Sequence, residues 1–188
     1  MRLLIYGSGA FTQTVIELVQ DCGHEVIGLV DDTHRGPGVL GNLEEVSQSY
    51  PPGKFGIAIA IGYGNLSGRW NAWQRARAYG YQAPVLIHPR GYVAGSAQVG
   101  EGSMVMASAV VDVRATVGEA VVLWPGVCVS HDSMIGENCF LSPNATVCGA
   151  VRLGANSFVG AGAAIADQCE VPPSSYIKML ERFTGRAT

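Results

Sequence analysis

The sequence predicts two domains of different kinds. Residues 1–86 read as a small α/β, Rossmann-like domain with a parallel sheet, and 87–176 as a left-handed parallel β-helix of six-residue repeats, leaving a tail at 177–188. Three observations predict this. Val, Leu or Ile recurs at every sixth position from Ile87 to Val171 without a slip. A small or β-branched residue stands four places after each of them from Ala97 to Cys169. The first thirty or so residues pass from an apolar run through a glycine turn and an amphipathic stretch to a second apolar run.

Composition narrows the function classes before any motif is read. Of the 188 residues 48% are apolar and only 14% charged, which suits a chain that buries a core. A net charge of −3 gives no pull toward nucleic acid or an anionic membrane. No apolar run approaches the roughly 20 residues of a membrane span, and Met1–Gly7 lacks the regions of a signal peptide. A cytoplasmic protein without nucleic-acid or membrane partners is expected. Cys22, Cys128, Cys139, Cys148 and Cys169 form no CxxC pair, so no metal site or disulfide framework is expected and they read as small buried hydrophobes.

Arg2–Tyr6 reads as a strand, Gly7-Ser8-Gly9 as a turn, and Phe11–Asp21 as a helix with Phe11, Val15, Leu18 and Val19 on one face. His24–Val30 is a second strand, ending in Asp31-Asp32. Glycines in such a unit let a phosphate reach backbone N–H groups at the helix N-terminus, and the acid can bind a ribose hydroxyl or a base. Thr12 stands where a complete GxGxxG has its last glycine, which argues against a dehydrogenase. Thr33–Gly53, rich in Gly and Pro, reads as a loop-rich connection.

Phe55–Ile61 is a third strand, and its following loop, Gly62-Tyr63-Gly64-Asn65, should sit beside the first glycine loop. The candidate acceptor-binding residues are Gly7, Gly9, Ala10, Phe11, Asp31, Asp32, Gly62, Tyr63 and Asn65. A helix over Ser67–Tyr79 carries Trp70 and Trp73 at a core-packing spacing, and Arg69 either meets a phosphate or stays solvated. Pro84–Ile87 closes the domain. His24 reads as a surface residue, His34 as a loop residue and His88 as packing at the domain junction.

A period of six fits neither a helix nor hairpins with variable loops. It fits a solenoid whose short flat strands meet at corners, with aliphatic residues stacked coil on coil. Three six-residue faces make an 18-residue triangular coil, so Ile87–Val171 spans four to five coils. Gly100, Gly118, Gly136, Gly154 and Gly160 each follow an aliphatic position, where the backbone is expected to turn.

Several landmarks recur together: Tyr6-Gly7-Ser8-Gly9, Leu29-Val30-Asp31-Asp32, Ala60-Ile61-Gly62, Ile87-His88-Pro89, Val129-Ser130-His131-Asp132, Leu141-Ser142-Pro143-Asn144, Val159-Gly160-Ala161-Gly162-Ala163 and Val171-Pro172-Pro173-Ser174. With them the chain resembles the hexapeptide-repeat acetyltransferases of nucleotide-linked amino sugars, of the sialic acid O-acetyltransferase-like type. The resemblance implies acetyl-CoA as co-substrate, a nucleotide sugar as acceptor, and a homotrimer with sites between neighbouring solenoids. The chain departs from the family pattern at Ala10-Phe11, Gln13, Trp124-Pro125 and Phe140, where the family often carries Gly-His, a basic residue, Asn-Thr and a second histidine. By the same comparison it is about one coil short before its closing motif.

Acetyl transfer from a thioester needs a base and a donor for the developing oxyanion. His131, the one histidine in the repeats beyond their first turn, is the candidate base, with Asp132 beside it to orient the ring. Gly149 lies 18 residues on, one full coil, and therefore next to His131 at about 4.8 Å. The resemblance assigns the Gly149 N–H to the thioester carbonyl and runs the coenzyme past Ala161 and Gly162. Direct attack needs no acetyl-enzyme. N-acetylation of an aminodeoxy sugar is the leading expectation; O-acetylation of a sugar such as sialic acid and a non-catalytic sugar-nucleotide-binding scaffold are the alternatives. Trp124 is placed to close an acceptor pocket.

Overall fold

A computed structural model describes residues 1–185. It divides into two compact units, Met1–Pro84 and the chain from Val85 onward. In the first unit, β1 (Arg2–Tyr6), β2 (Glu25–Val30), β3 (Val39–Gly41) and β4 (Gly56–Ile59) form one parallel sheet in the order β3-β2-β1-β4. The helices α1 (Thr12–Asp21), α2 (Leu43–Ser49) and α3 (Leu66–Ala78) connect and follow these strands. Leu3, Leu4, Ile5, Val15, Val19, Val30, Ile57, Ile59 and Trp73 are fully buried, so sheet and helices share one apolar core.

Two expectations for this unit change. The Thr33–Gly53 connection is not merely loop: it contains β3 and α2. Asn42 accepts from the Glu45 N–H at 2.8 Å while Glu45 accepts from the Asn42 N–H at 2.8 Å. This capping box satisfies the first turn of α2 and offsets the glycine-rich approach to it. Arg69 is not solvated. It is wholly buried in α3, and burial pushes its guanidinium down to about 10. Asn65 is the N-cap of α3, accepting from the Gly68 N–H at 2.9 Å.

The second unit is a parallel β-solenoid of about five turns, consistent with the left-handed β-helix. Two-residue strands fall into three parallel sheets, in which each residue pairs with the one 18 positions away, as Cys128 does with Val110 and with Thr146. Val105, Val111, Val117, Leu123, Val129, Ile135, Leu141, Val147, Leu153, Val159, Ile165 and Val171 all point into one buried core. The coils do not stop at residue 176. Strands Tyr176–Ile177 and Arg182–Phe183 continue the sheets, and Ile177 joins the core, so residues 177–185 belong to the solenoid and only 186–188 of the expected tail lie outside the described residues. The sixfold pattern continues past the Val171-Pro172-Pro173-Ser174 motif through Ile177 to an aromatic, Phe183.

The glycines after the aliphatic positions have a different cause from the one expected. The left-handed residues lie three places after each aliphatic position, from Gly102 to Leu180 in steps of six; the non-glycine ones have φ between 54° (Asn138) and 61° (Asp132). The glycine column 100, 118, 136, 154 instead answers close approach: a Cβ at Gly154 would lie 2.4 Å from the backbone nitrogen of Pro173, and at Gly136 2.5 Å from that of Ala155. One corner of the solenoid therefore brings successive coils too near for a side chain.

Cys139 and Cys169 are buried in the core, whereas Cys22, Cys128 and Cys148 are only half-buried. Among the described residues no helix is long and apolar enough to cross a membrane.

Gly154→Ala is expected to lower Tm by about 5 °C or more, because backbone rather than a flexible side chain must yield. Gly95→Ala, where no atom lies within 4 Å of the new Cβ, serves as the matched control in thermal unfolding and should leave Tm nearly unchanged.

Candidate active site

The glycine loop of the first unit is shaped by its own acids. Gly7 has φ 120° and a Cβ there would stand 2.9 Å from the Ala60 carbonyl oxygen, so only glycine fits between β1 and the end of β4. A Cβ on Gly62 would lie 3.6 Å from that of Phe11, which places the second loop beside the first as the topology requires. Gly9 and Ala10 are exposed at the entrance to α1, and Tyr63 is exposed on the neighbouring loop.

Asp31 and Asp32 are occupied within the chain. Asp31 Oδ2 accepts from the N–H and hydroxyl of Ser8 at 3.1 and 2.6 Å, and its Oδ1 from the N–H groups of Thr33 and His34, both at 2.9 Å. Burial alone would raise its carboxyl, but these donors outweigh burial and hold it far below the usual carboxylate range. Asp32 accepts from the Tyr6 hydroxyl, from Arg75 and from the Leu43 N–H. Burial first, and then Asp32, push the Tyr6 phenol upward. Arg75 was missed in the sequence: it lies 43 residues from Asp32, and no local motif marks it.

In the solenoid, His131, Asp132 and Gly149 come together. His131 Nδ1 lies 2.8 Å from Asp132 Oδ2. A carboxylate only accepts, so Nδ1 carries the proton and the lone pair is left on Nε2, the nitrogen a general base needs. The other edge of the ring lies over Gly149: a Cβ there would stand 2.8 Å from both Cε1 and Nε2 of His131. The backbone on each side is pinned to adjacent coils, Asp132 N–H to the Val113 carbonyl at 3.1 Å and Ala150 N–H to the His131 carbonyl at 3.0 Å. Ser133 Oγ donates to the Cys148 carbonyl at 2.8 Å and so ties the His131 turn to the Gly149 turn.

Two residues join this site that the sequence reading did not include. Arg114 grips Asp132 with two hydrogen bonds, Nε to Oδ1 at 2.7 Å and Nη2 to Oδ2 at 2.8 Å. Arg114 first and His131 second hold the Asp132 carboxyl down at about 2. Asp167, one coil beyond Gly149, accepts the Gly149 N–H at 2.8 Å, so this amide is engaged rather than open. Both additions obey the 18-residue step and could have been found by extending it in each direction from His131-Asp132 and Gly149.

Ala161 and Gly162 are not brought to His131 within one chain. They follow the strand Phe158–Val159, whereas His131 and Gly149 follow Cys128–Val129 and Thr146–Val147, which belong to a different sheet. Phe140 and Trp124, the departures from the family pattern, belong with Phe158 and Tyr176 in an aromatic ladder. Ring centroids are 6.1 Å apart for Trp124–Phe140, 6.4 Å for Phe140–Phe158 and 4.7 Å for Phe158–Tyr176. Phe140 is buried there, and Trp124 is half-buried against the core.

Two families match the chain: Bacterial transferase hexapeptide (six repeats) over residues 114–149 and 132–167, and PglD N-terminal domain over residues 2–75. Among solved structures, the acetyltransferase domain of PglB from Neisseria gonorrhoeae FA1090 is 30% identical, with a TM-score of 0.89 over 100% of this chain and 93% of that one. The same domain in complex with acetyl coenzyme A is 30% identical, with a TM-score of 0.86 over 97% of this chain and 92% of that one. A His-to-Asn variant of perosamine N-acetyltransferase from Caulobacter crescentus, in complex with CoA and GDP-perosamine, is 28% identical, with a TM-score of 0.76 over 95% and 93%. No curated protein matches significantly.

Gly149→Ala is expected to keep the fold, because the obstructed atoms are the movable end of the His131 side chain. Tm should stay within about 3 °C, while the His131 ring resonances shift as the imidazole is pushed off its Asp132 contact.

Proposed function

Because the chain belongs to the hexapeptide-repeat acetyltransferases that carry a PglD-type N-terminal domain, we propose that it moves the acetyl group of acetyl-CoA onto the amine of a nucleotide-linked aminodeoxy sugar. The observation that carries this reading is the His131 imidazole, held at Nδ1 by Asp132 with its Nε2 edge over Gly149. The relatives with bound acetyl-CoA, and with CoA and GDP-perosamine, support the choice of donor and of acceptor class.

His131 Nε2 takes the proton of the acceptor amine as the nitrogen bonds to the acetyl carbon. The Gly149 N–H stabilises the oxygen that becomes negative in that step. As the C–S bond breaks, the His131 imidazolium returns the proton to the departing thiolate, which balances the reaction without an acetyl-enzyme. Asp132 favours the transient imidazolium by its charge. Asp167 must turn away from the Gly149 N–H before an oxyanion can take its place; the side chain is exposed and free to do so.

Gly7, Gly9, Ala10 and Phe11, with Gly62, Tyr63 and Asn65, form the loop pair proposed for the nucleotide of the acceptor. Asp31 and Asp32 act there by shaping the loops, since their oxygens already receive Ser8, Thr33, Tyr6 and Arg75. Ala161 and Gly162 serve the donor from a second copy of the chain, which is the part of the reading that calls for a homotrimer. The fixed base beside Gly149 favours an enzyme over a non-catalytic scaffold.

Purified protein with acetyl-CoA and a panel of UDP-, dTDP- and GDP-linked amino sugars should release CoA thiol with one of them. His131→Ala should reduce that rate by at least about a hundredfold. A wild-type rate in His131→Ala would discard the mechanism, and release only with hydroxyl acceptors would replace N- by O-acetylation. Asp167→Ala is expected to raise kcat/KM for acetyl-CoA by about threefold, since the carbonyl no longer competes with a carboxylate for the Gly149 N–H; an unchanged or lower value would show that Asp167 does not oppose donor binding.

A further inference from the structure

Arg114 has no place in the chemistry above, yet it makes the closest polar contacts at the His131 corner. It stands one coil before Asp132, and both occupy the left-handed corner position, at φ 57° and 61°. Its guanidinium pairs with the carboxylate fork to fork, at 2.7 and 2.8 Å, which fixes the plane of the carboxylate and not only its distance. That plane matters because Asp132 Oδ2 also receives His131 Nδ1 at 2.8 Å. Asp132 directly follows His131 in the chain and is 38% exposed, so without a second anchor its carboxylate can turn into solvent.

Arg114 itself is well rooted. Its N–H donates to Ser96 Oγ at 3.1 Å on the preceding coil, and Val111 and Ala115 on either side are buried in the solenoid core. A chain of contacts thus runs Ser96, Arg114, Asp132, His131 from the scaffold to the ring. The Arg114 side chain is 64% exposed, and ion pairs that open to water add little to folding stability. Their geometry, by contrast, can set the tautomer of an imidazole.

We infer that Arg114 is a positioning residue for acyl transfer: it holds the Asp132 carboxylate in the orientation that keeps the His131 proton on Nδ1 and leaves Nε2 free to take a proton. This rests on the reading of His131 as the base. Lysine at this position supplies charge but no fork, so it replaces Arg114 only in part.

The test uses full-length protein labelled with 15N-histidine, as wild type, Arg114→Met and Arg114→Lys, with His131→Ala to assign the ring signals. In the wild type the neutral His131 ring is expected as the Nδ1–H tautomer. In Arg114→Met it should move toward the Nε2–H form that free histidine prefers, with Tm close to wild type. Its kcat should fall about tenfold or more while KM for both substrates stays within about twofold. Arg114→Lys should fall between the two. An unchanged tautomer in Arg114→Met, or a wild-type kcat, overturns the inference. If the wild-type protein acetylates no acceptor, the acyl-transfer reading fails, and the tautomer measurement still decides whether Arg114 sets the state of His131.

Discussion

The backbone ladder between successive coils is the constraint on which the second unit rests. Each short strand hydrogen-bonds to those 18 residues before and after it, as with Ser130 N–H to the Val147 carbonyl at 2.9 Å and Cys128 N–H to the Ala145 carbonyl at 3.0 Å. Buried backbone groups must find partners, so a slip of one residue would cost the whole ladder and turn the aliphatic columns outward. From that register follow the unbroken interior column, the left-handed residue at each corner and the glycine column where coils approach most closely.

The same register makes the corner chemistry possible at low cost. Positions 18 apart are spatial neighbours, so His131 meets Gly149, Gly149 meets Asp167, and Arg114 meets Asp132 without any loop having to be folded into place. The side chains that carry charge are exposed, so their desolvation is small. Rigidity comes from the apolar core directly beneath: Val129, Val147 and Ile165 are fully buried under the turns that bear His131, Gly149 and Asp167. A rigid backbone carrying exposed charged side chains at one corner is the result.

In the first unit the polar economy is reversed. There the acids point into their own loops, where Asp31 collects Ser8, Thr33 and His34 and Asp32 collects Tyr6, Arg75 and the start of α2. These contacts shape the glycine turns and leave Gly9 and Ala10 open at the head of α1. Burial of Arg69 in α3, alongside Trp73, shows how far a helix with an unremarkable sequence can be drawn into a core by its surroundings.

What was legible in the sequence is what repeats or acts locally. The hexad Val129, Ile135, Leu141, Val147 determined the solenoid, its register and the pairing of His131 with Gly149, because each coil is a copy of the last and its neighbours are set by arithmetic. The glycine turn and the strand ends determined the parallel α/β unit for the same local reason. The capping box at Asn42 and Glu45 was equally local, but the surrounding Gly and Pro obscured it. Tertiary structure alone decided where the side chains place their hydrogen bonds: the Arg114 fork on Asp132, the Asp167 carboxylate on the Gly149 amide, and Arg75 on Asp32. Periodicity specifies which backbones are adjacent. Which rotamers meet depends on side-chain torsions, and a repeat of six does not encode them.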